Sequence, residues 1–555
     1  MIMHRLNISV LKTFVFVFSI LLMTSAKAQD TISKADIQGA AKLMDLSFSE
    51  KEMEMMLADL KDNVVDFKRM HSLLLNNNVG MSIAQRLTPP SEKQEKIKWH
   101  YDKKISLPSN KNDLAFYSIK QLGSLLRNKS ITSVELTQFF INRIKNYGDT
   151  LQCVVSLTET IALEQAAKAD EDFKKGIDKG PLQGIPYGLK DLFAVKNTKT
   201  TWGAQPYKDQ IIEEDAFVYT RLKEVGAVLI AKFTLGALAM GDYWFGGRTK
   251  NPWNLNYGSS GSSAGSASAT VAGLIPFAIG TETHGSIISP SSTCGATGLR
   301  PTFGSVSRFG AMTLSWSLDK VGPICRTAED AATVFSFIHG TDGKDASAVN
   351  RVFNLSNKRG VKDLKIAYAK NHFDRLDSTS SQEWGVIKAL RDQGITVSPM
   401  ILPDTDFYKY DMIGIVIGAE AAAAFDEFTR VGLDDQMTRQ TRFDWPNYFR
   451  VSRLIPAVEY VNTNRQRTLL MEKMNQAMEP WDVIITPSFG NRQLAITNLT
   501  GHPALCMPIG FNKQGLPNSI TFISNLFREE ELVKAGTYFQ SITEHDEKHP
   551  ERFKQ

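Results

Sequence analysis

From Phe116 onward, segments with helical periodicity alternate with short apolar runs. A helix is predicted after the capping-box sequence TSVE at residues 132–135, because its Thr and Glu side chains accept hydrogen bonds from free N–H groups at a helix start. The apolar runs Val225–Ala231 and Val483–Ile485 are predicted to be buried strands. This alternation indicates an α/β architecture in which helices cover a sheet.

The residues that precede this region have a different pattern. Ala35–Leu46 and Glu52–Leu75 carry apolar residues at three- and four-residue spacing, which predicts two amphipathic helices. Pro89 and the polar stretch after it read as a linker. We therefore predict a helical N-terminal extension and linker over residues 29–110, followed by one large domain over residues 111–545. The extension is expected to pack on that domain, with a lid or a dimer contact as alternatives.

The first residues have the composition of a secretory signal peptide. Basic residues precede the apolar run Thr13–Met23, and Ala26 and Ala28 supply small residues at the spacing that a signal peptidase recognises. The run is too short to span a bilayer core of ~30 Å, and no cysteine follows it for lipid attachment. We predict a signal peptide over residues 1–28 and a periplasmic or secreted protein without a stable membrane anchor.

Charge and cysteine content exclude several other classes. The chain has 64 Lys and Arg against 59 Asp and Glu without a basic stripe, so no nucleic-acid partner is expected. Neither a CxxC pair nor an HExxH motif occurs, and no metal or other cofactor is predicted. The four cysteines are widely spaced in apolar or small-residue settings and are predicted to be free thiols: Cys153, Cys294, Cys325 and Cys506.

Two clusters of small residues, Gly258–Ser268 and Gly280–Ile287, lie on either side of a short apolar run. A flexible linker is disfavoured for the first cluster because it leads directly into SASATVAG, a sequence typical of a tightly packed helix. A phosphate-binding loop is disfavoured because no Lys follows the glycines. The segment Gly261–Gly265 matches the GxSxG elbow of α/β-hydrolases, but the polar residues before it do not predict the strand that the elbow requires.

The two clusters together resemble the amidase signature family. Ser260–Ser266 and Gly280–Ile287 match its two serine-bearing segments, and Ser262 and Ser286 are 24 positions apart, as in that family. Upstream, the segment GPLQGIPYGLKD resembles the one that carries the family's lysine and places it at Lys190. The resemblance extends over residues 116–539. It implies a single α/β domain with a twisted mixed sheet covered by helices.

The resemblance also implies a mechanism and its residues. Ser286 would attack the amide carbonyl to form an acyl-enzyme, and Ser262, after a cis peptide bond, would relay the proton to and from Lys190. A hydroxyl is a weak nucleophile without an adjacent base, and a lysine can be that base if burial without a carboxylate partner keeps it neutral. Asp191 would point to the opposite face of a strand. The implied oxyanion hole consists of the backbone N–H groups of Thr283, His284, Gly285 and Ser286.

Two positions depart from the commonest family pattern. Glu282 replaces Asp and Ile288 replaces Arg, which makes this a GTET-type variant. Glu282 then needs another partner, for which Arg300 and Arg308 are candidates. His284 stands where glycine is usual; either only its backbone N–H matters, or its side chain narrows or polarises the acyl pocket.

The resulting prediction is an exported amidase that hydrolyses the C–N bond of a small-molecule carboxylic amide. One alternative is the glutaminase subunit of a tRNA-dependent amidotransferase, and another is a catalytically silent amide-binding protein. A homodimer is left open. The segment Thr341–Pro480 is expected to line much of the pocket, with four candidates: Arg442, Trp445, Tyr448 and Arg453.

Overall fold

The computed structural model describes residues 32–72, 88–91, 93–95, 97–355, 359–404 and 410–555. The signal peptide predicted for residues 1–28 lies outside them. Among the helices described, none is both long and apolar enough to cross a membrane. The chain divides into two units, residues 1–72 and 73–555, which are described separately.

The described part of the first unit consists of two helices, α1 (Lys34–Leu43) and α2 (Glu50–His71). Each begins with a capping box, at Ser33 and Ser49 respectively, where side chain and backbone satisfy each other's free groups. The prediction of two N-terminal helices is therefore confirmed. Helix α1 ends before the predicted Leu46, where Asp45 takes a positive φ of 53°.

The second unit contains the remaining elements. Its helices are α3 (Ile119–Arg127), α4 (Ser133–Leu151), α5 (Glu159–Lys174), α6 (Phe217–Glu224), α7 (Ala264–Val271), α8 (Ile288–Cys294), α9 (Ala328–Ile338), α10 (Lys370–Phe373), α11 (Gln382–Asp392), α12 (Met412–Ala424), α13 (Asp426–Arg430), α14 (Trp445–Ser452), α15 (Ala457–Met478), α16 (Gln493–Thr500) and α17 (Glu529–Ser541). Its strands are β1 (Val154–Leu157), β2 (Pro186–Lys190), β3 (Val228–Phe233), β4 (Tyr243–Trp244), β5 (Gly247–Arg248), β6 (Phe277–Glu282), β7 (Thr297–Arg300), β8 (Lys320–Cys325), β9 (Ile366–Ala369), β10 (Val397–Met400), β11 (Val483–Pro487), β12 (Ala504–Phe511) and β13 (Pro517–Ser524).

Eleven strands of the described chain form one mixed sheet in the order β1-β3-β2-β6-β8-β7-β12-β13-β11-β9-β10. Strand β2 is parallel to both β3 and β6, and β9 is parallel to β10 and β11. The other pairs are antiparallel, and β4 and β5 form a separate hairpin. The predicted α/β domain with a large mixed sheet is confirmed.

Local sequence explains where several elements begin. Helix α4 starts at the predicted capping box, where Glu135 N–H donates to Thr132 Oγ1 at 3.1 Å and Thr132 N–H donates to Glu135 Oε2 at 2.9 Å. Strand β3 begins at Val228 and not at the predicted Val225, because Gly226 forms a turn with a φ of 76°. Strand β11 begins at the predicted Val483. All six residues of β3 are buried, as a central strand covered on both faces requires.

Small residues allow helix α7 to pack tightly against the sheet. Every residue of α7 is buried, and a Cβ atom on Gly265 would collide with the Cys153 carbonyl oxygen. The first cluster is therefore a loop followed by a buried helix, as its sequence predicts. The four cysteines are free and buried, in agreement with the prediction.

Candidate active site

Lys190 is the last residue of β2, and its side chain is fully buried. Its Nζ lies 2.8 Å from Ser262 Oγ and 2.8 Å from Thr281 Oγ1. Strands β2 and β6 are parallel neighbours, so their C-terminal ends bring Lys190 and Thr281 to the same edge of the sheet. The structure thus joins Lys190 to Ser262 as the resemblance implies. Thr281 was not predicted, although it lies in the GTET segment one residue before Glu282.

The surroundings of Lys190 favour its neutral form. Burial lowers the pKa of Lys190 from 10.5 to about 7, although the charges of Asp319 and Glu282 oppose this shift. Among the described residues, no carboxylate lies within 4.0 Å of its Nζ. Asp191 instead binds Lys232, with an Oδ1–Nζ distance of 2.8 Å. The amine is therefore able to accept a proton near neutral pH.

Ser263 joins the segment that carries Ser262 to two other segments, one with Thr281 and one with Ser286. Its Oγ donates to the Thr281 carbonyl at 3.1 Å, and its N–H donates to the Ser286 carbonyl at 3.1 Å. The peptide bond between Gly261 and Ser262 is cis, as the resemblance implies. Within the described residues no hydrogen bond joins the hydroxyls of Ser262 and Ser286, and backbone contacts bring the two segments together.

We term residues 283–286, which are predicted to form the oxyanion hole, the oxyanion loop. None of these four N–H groups donates a hydrogen bond to a described residue, whereas the next two, on Ile287 and Ile288, both donate to Glu282 Oε2 at 2.9 Å. Gly285 has a φ of 85°, and a Cβ there would lie 2.7 Å from Ser289 Oγ. Such a loop can donate hydrogen bonds to an oxygen that develops negative charge.

Glu282 fixes the end of this loop through a buried network. Its Oε1 accepts from Arg300 Nη1 and from Asn498 Nδ2, each at 2.7 Å. Of the two arginines proposed as its partner, Arg300 is therefore the one that binds it, while Arg308 binds Asp345 at 2.8 Å. Burial opposes ionisation of Glu282, but the Arg300 charge and the donated hydrogen bonds hold its pKa at about 2.

Glu282→Gln is expected to lower the free energy of unfolding at pH 7 by about 3–5 kcal/mol, because it leaves the buried Arg300 uncompensated. The pKa of Glu282 is below its ordinary 4.5 in the folded state, so this stabilisation is present above pH 4.5 and is lost as pH falls toward about 2. Urea unfolding of both proteins between pH 7 and pH 3 measures the difference. The control Glu329→Gln removes an exposed carboxylate 3.5 Å from Lys120 and should change the free energy of unfolding by less than about 1 kcal/mol. Equal unfolding free energies for wild type and Glu282→Gln at pH 7 would contradict this assignment.

His284 lies on the oxyanion loop with its side chain exposed. Nevertheless, protein atoms surround the ring closely enough that desolvation lowers its pKa below the ordinary 6.5. The imidazole is therefore uncharged at neutral pH, and its exposed position is compatible with either role considered above.

The four candidates from the variable segment have structural partners. Trp445 is buried and stacks on Phe449 with ring centroids 4.7 Å apart. The Tyr448 hydroxyl donates to the Gly414 carbonyl at 3.0 Å, and Arg453 binds Asp426 at 2.6 Å. The fourth, Arg442, lies 5.5 Å from the Phe443 ring centroid. Among the described contacts, none joins these side chains to the three predicted catalytic residues.

A family model described as "Amidase" matches residues 135–533 of this chain. The chain belongs to the amidase family, whose enzymes hydrolyse amides.

Among individual relatives, a glutamyl-tRNA(Gln) amidotransferase subunit from Coxiella burnetii (strain Dugway 5J108-111) is 34% identical over 478 residues, covering 78% of this chain and 99% of the relative. The corresponding protein of Acinetobacter baumannii (strain AYE) is 32% identical over 482 residues, covering 78% and 97%. The native peptide amidase of Stenotrophomonas maltophilia superimposes with a TM-score of 0.69 at 25% identity, covering 78% of this chain and 97% of that one. A bacterial aryl acylamidase shares the fold, with a TM-score of 0.68 at 21% identity over 78% and 98% of the two chains.

Proposed function

We propose that this chain is an exported serine amidase that hydrolyses the C–N bond of a small-molecule carboxylic amide. The observation that carries the proposal is the buried Lys190, with its Nζ 2.8 Å from Ser262 Oγ and no carboxylate partner within 4.0 Å among the described residues. This arrangement supplies a neutral amine next to a hydroxyl, which is what activation of a serine nucleophile requires. The peptide amidase at 25% identity supports the same class of reaction.

In the first step, Ser286 Oγ attacks the carbonyl carbon while its proton passes through Ser262 Oγ to Lys190 Nζ. The carbonyl oxygen becomes an oxyanion that accepts hydrogen bonds from the N–H groups of the oxyanion loop. In the second step the C–N bond breaks, and Lys190 returns the proton through Ser262 to the leaving nitrogen. Water then attacks the ester carbonyl while one of its protons passes through Ser262 to Lys190. The C–O bond to Ser286 breaks, the proton returns to Ser286 Oγ, and the carboxylic acid is released.

The rate of amide hydrolysis should rise with pH through an apparent pKa near 7. Lys190 must be neutral to accept the proton, and its pKa is about 7, so the reactive fraction falls about tenfold for each pH unit below that value. Measuring kcat/KM between pH 5 and pH 9 in buffers of constant ionic strength tests this expectation. A value of kcat/KM that stays constant from pH 5 to pH 9 would contradict a lysine base.

Export rests on the sequence of residues 1–28. Cell fractionation should recover a mature form that begins near Gln29 outside the cytoplasm, in the periplasm or the medium. N-terminal sequencing of that form identifies the cleavage site. Full-length protein confined to the cytosol would exclude the signal peptide.

A second candidate function is the glutaminase subunit of a tRNA-dependent amidotransferase, because the curated relatives at 34% and 32% identity carry the name of such an amidotransferase. The predicted signal peptide favours the amidase, since such a subunit works with partner subunits and charged tRNA in the cytoplasm. A panel of amides, with glutamine among them, given to the purified mature chain separates the two functions. Turnover of amides by the isolated chain supports the amidase, and glutamine turnover that appears only with partner subunits supports the alternative.

A further inference from the structure

Asp319 is a buried carboxylate that the mechanism above does not use. It directly precedes β8, and its Oδ1 accepts a hydrogen bond from Thr283 Oγ1 at 2.6 Å. Its Oδ2 accepts from the N–H groups of Leu314 and Ser315, at 2.8 Å and 3.0 Å. Thr283 is the first residue of the oxyanion loop, so Asp319 ties that loop to the backbone of residues 314–315.

Asp319 also shares a cavity with Thr281, which contacts Lys190. Asp319, Thr281 and Thr283 line one small cavity of about 10 Å³. On the other side of Thr281, its Oγ1 lies 2.8 Å from Lys190 Nζ. The negative charge of Asp319 favours the ammonium form of the lysine, and among the neighbouring charges it has the largest opposing effect on the lowered pKa of Lys190.

The other charged groups around Lys190 are compensated. Glu282, at the end of β6, is paired with Arg300 at 2.7 Å, and Asp191 is paired with Lys232 at 2.8 Å. On β8, burial lowers the pKa of Lys320 well below 10.5, and its amine donates a hydrogen bond to the Leu318 carbonyl.

Asp319 differs from these groups. Among the described residues no Lys or Arg nitrogen lies within 4.0 Å of it, because Arg308 is held by Asp345 at 2.8 Å. Burial raises the pKa of Asp319, and the charge of Arg308, together with the hydrogen bonds from Thr283, Leu314 and Ser315, opposes that shift and stabilises the carboxylate.

We propose that Asp319 is a positioning residue for the amidase reaction. Its carboxylate holds the first residue of the oxyanion loop through Thr283 and stabilises Lys190 while the lysine carries the proton from the nucleophile to the leaving nitrogen. This inference rests on the proposed function, because it assumes that Lys190 is the proton carrier.

The test is the pH profile of Asp319→Asn. The variant keeps the shape of the side chain, since its amide oxygen can accept from Leu314 and Ser315 while its NH₂ group donates to Thr283 Oγ1. The acid limb of the pH profile is the range in which kcat/KM falls as Lys190 becomes protonated. Removing the negative charge should move this limb, measured with an amide, by about one unit to lower pH. At the pH optimum, kcat should fall about tenfold for the amide and less for a matched ester, because only the amide needs a protonated leaving group. If Asp319→Asn does not fold, as judged by urea unfolding, Asp319→Ser removes the same charge and should move the limb in the same direction.

Thr283→Val is the control for a purely structural role. It removes the hydrogen bond to Asp319 and keeps the charge, so it should lower kcat for amide and ester alike without moving the acid limb. The inference is overturned if the acid limb of folded Asp319→Asn coincides with that of the wild type. In that case the proposed function still stands if Lys190→Ala abolishes the limb. A limb that persists unchanged in Lys190→Ala overturns the proposed function itself.

Discussion

Ser286→Ala should lower kcat/KM for amide hydrolysis by about 10⁴–10⁶-fold. The acyl-enzyme cannot form without the hydroxyl, and the oxyanion loop alone supports only the residual rate. Initial rates with a chromogenic amide, read at high enzyme concentration, measure the loss. Hydrolysis of a matched ester should fall by a similar factor, because both reactions pass through the same acyl-enzyme.

The matched control is Ser266→Ala in the first small-residue cluster, the one that also carries Ser262. Ser266 is also buried, and its Oγ donates to the Ile279 carbonyl at 3.4 Å from helix α7. This variant should keep its amidase activity within a factor of about three, the range expected for loss of one weak hydrogen bond away from the site. Retention of more than a tenth of the wild-type activity in Ser286→Ala would mean that another group is the nucleophile.

Lys190→Met should reduce amide hydrolysis by about 10²–10⁴-fold and ester hydrolysis by much less. The nitrogen of an amide must be protonated as the C–N bond breaks, because an amine anion is too basic to depart, whereas an alkoxide departs more readily. Methionine fills most of the volume of the buried lysine, so loss of packing is kept small. Measuring kcat/KM for an amide and an ester with the same acyl group gives the ratio.

The amide-to-ester ratio separates a proton carrier from a structural lysine. The ratio should fall at least tenfold in Lys190→Met, and urea unfolding should show that the variant is folded. Lys190→Arg provides a second comparison, because arginine keeps a permanent positive charge and cannot act as the base. Equal losses for amide and ester in folded Lys190→Met would leave Lys190 without a role in proton transfer.

The sequence predicted the pairing of Lys190 with Ser262 through its resemblance to the amidase signature family. The structure places Lys190 Nζ 2.8 Å from Ser262 Oγ. The free thiols and the capping box at Thr132 followed from residue type and short-range pattern alone.

The sequence did not predict which residues become partners through the order of the strands. Arg300 and Arg308 were equal candidates for Glu282, and only the position of β7, two strands from β6, brings Arg300 to within 2.7 Å. Asn498 and Asp319 were missed because they reach the site from other segments of the chain, one after strand β11 and the other before β8. Sequence pattern identifies which elements form, whereas such contacts depend on how the elements are ordered in the sheet.

The expectation that the variable segment lines the pocket stays a prediction. Trp445, Tyr448 and Arg453 contact Phe449, Gly414 and Asp426. Aromatic and cationic residues on a helix are as suitable for packing as for binding, and residue type alone does not distinguish the two.

Peptide mapping after reaction with a fluorophosphonate tests the central claim most directly. Fluorophosphonates react with serine hydroxyls that a neighbouring base activates, and the phosphonyl oxygen would occupy the oxyanion loop. The proposed mechanism predicts one modified residue, Ser286, with labelling that slows below pH 7 and is absent in Lys190→Met. Modification of a different residue, or an unlabelled protein that still hydrolyses amides, would contradict it.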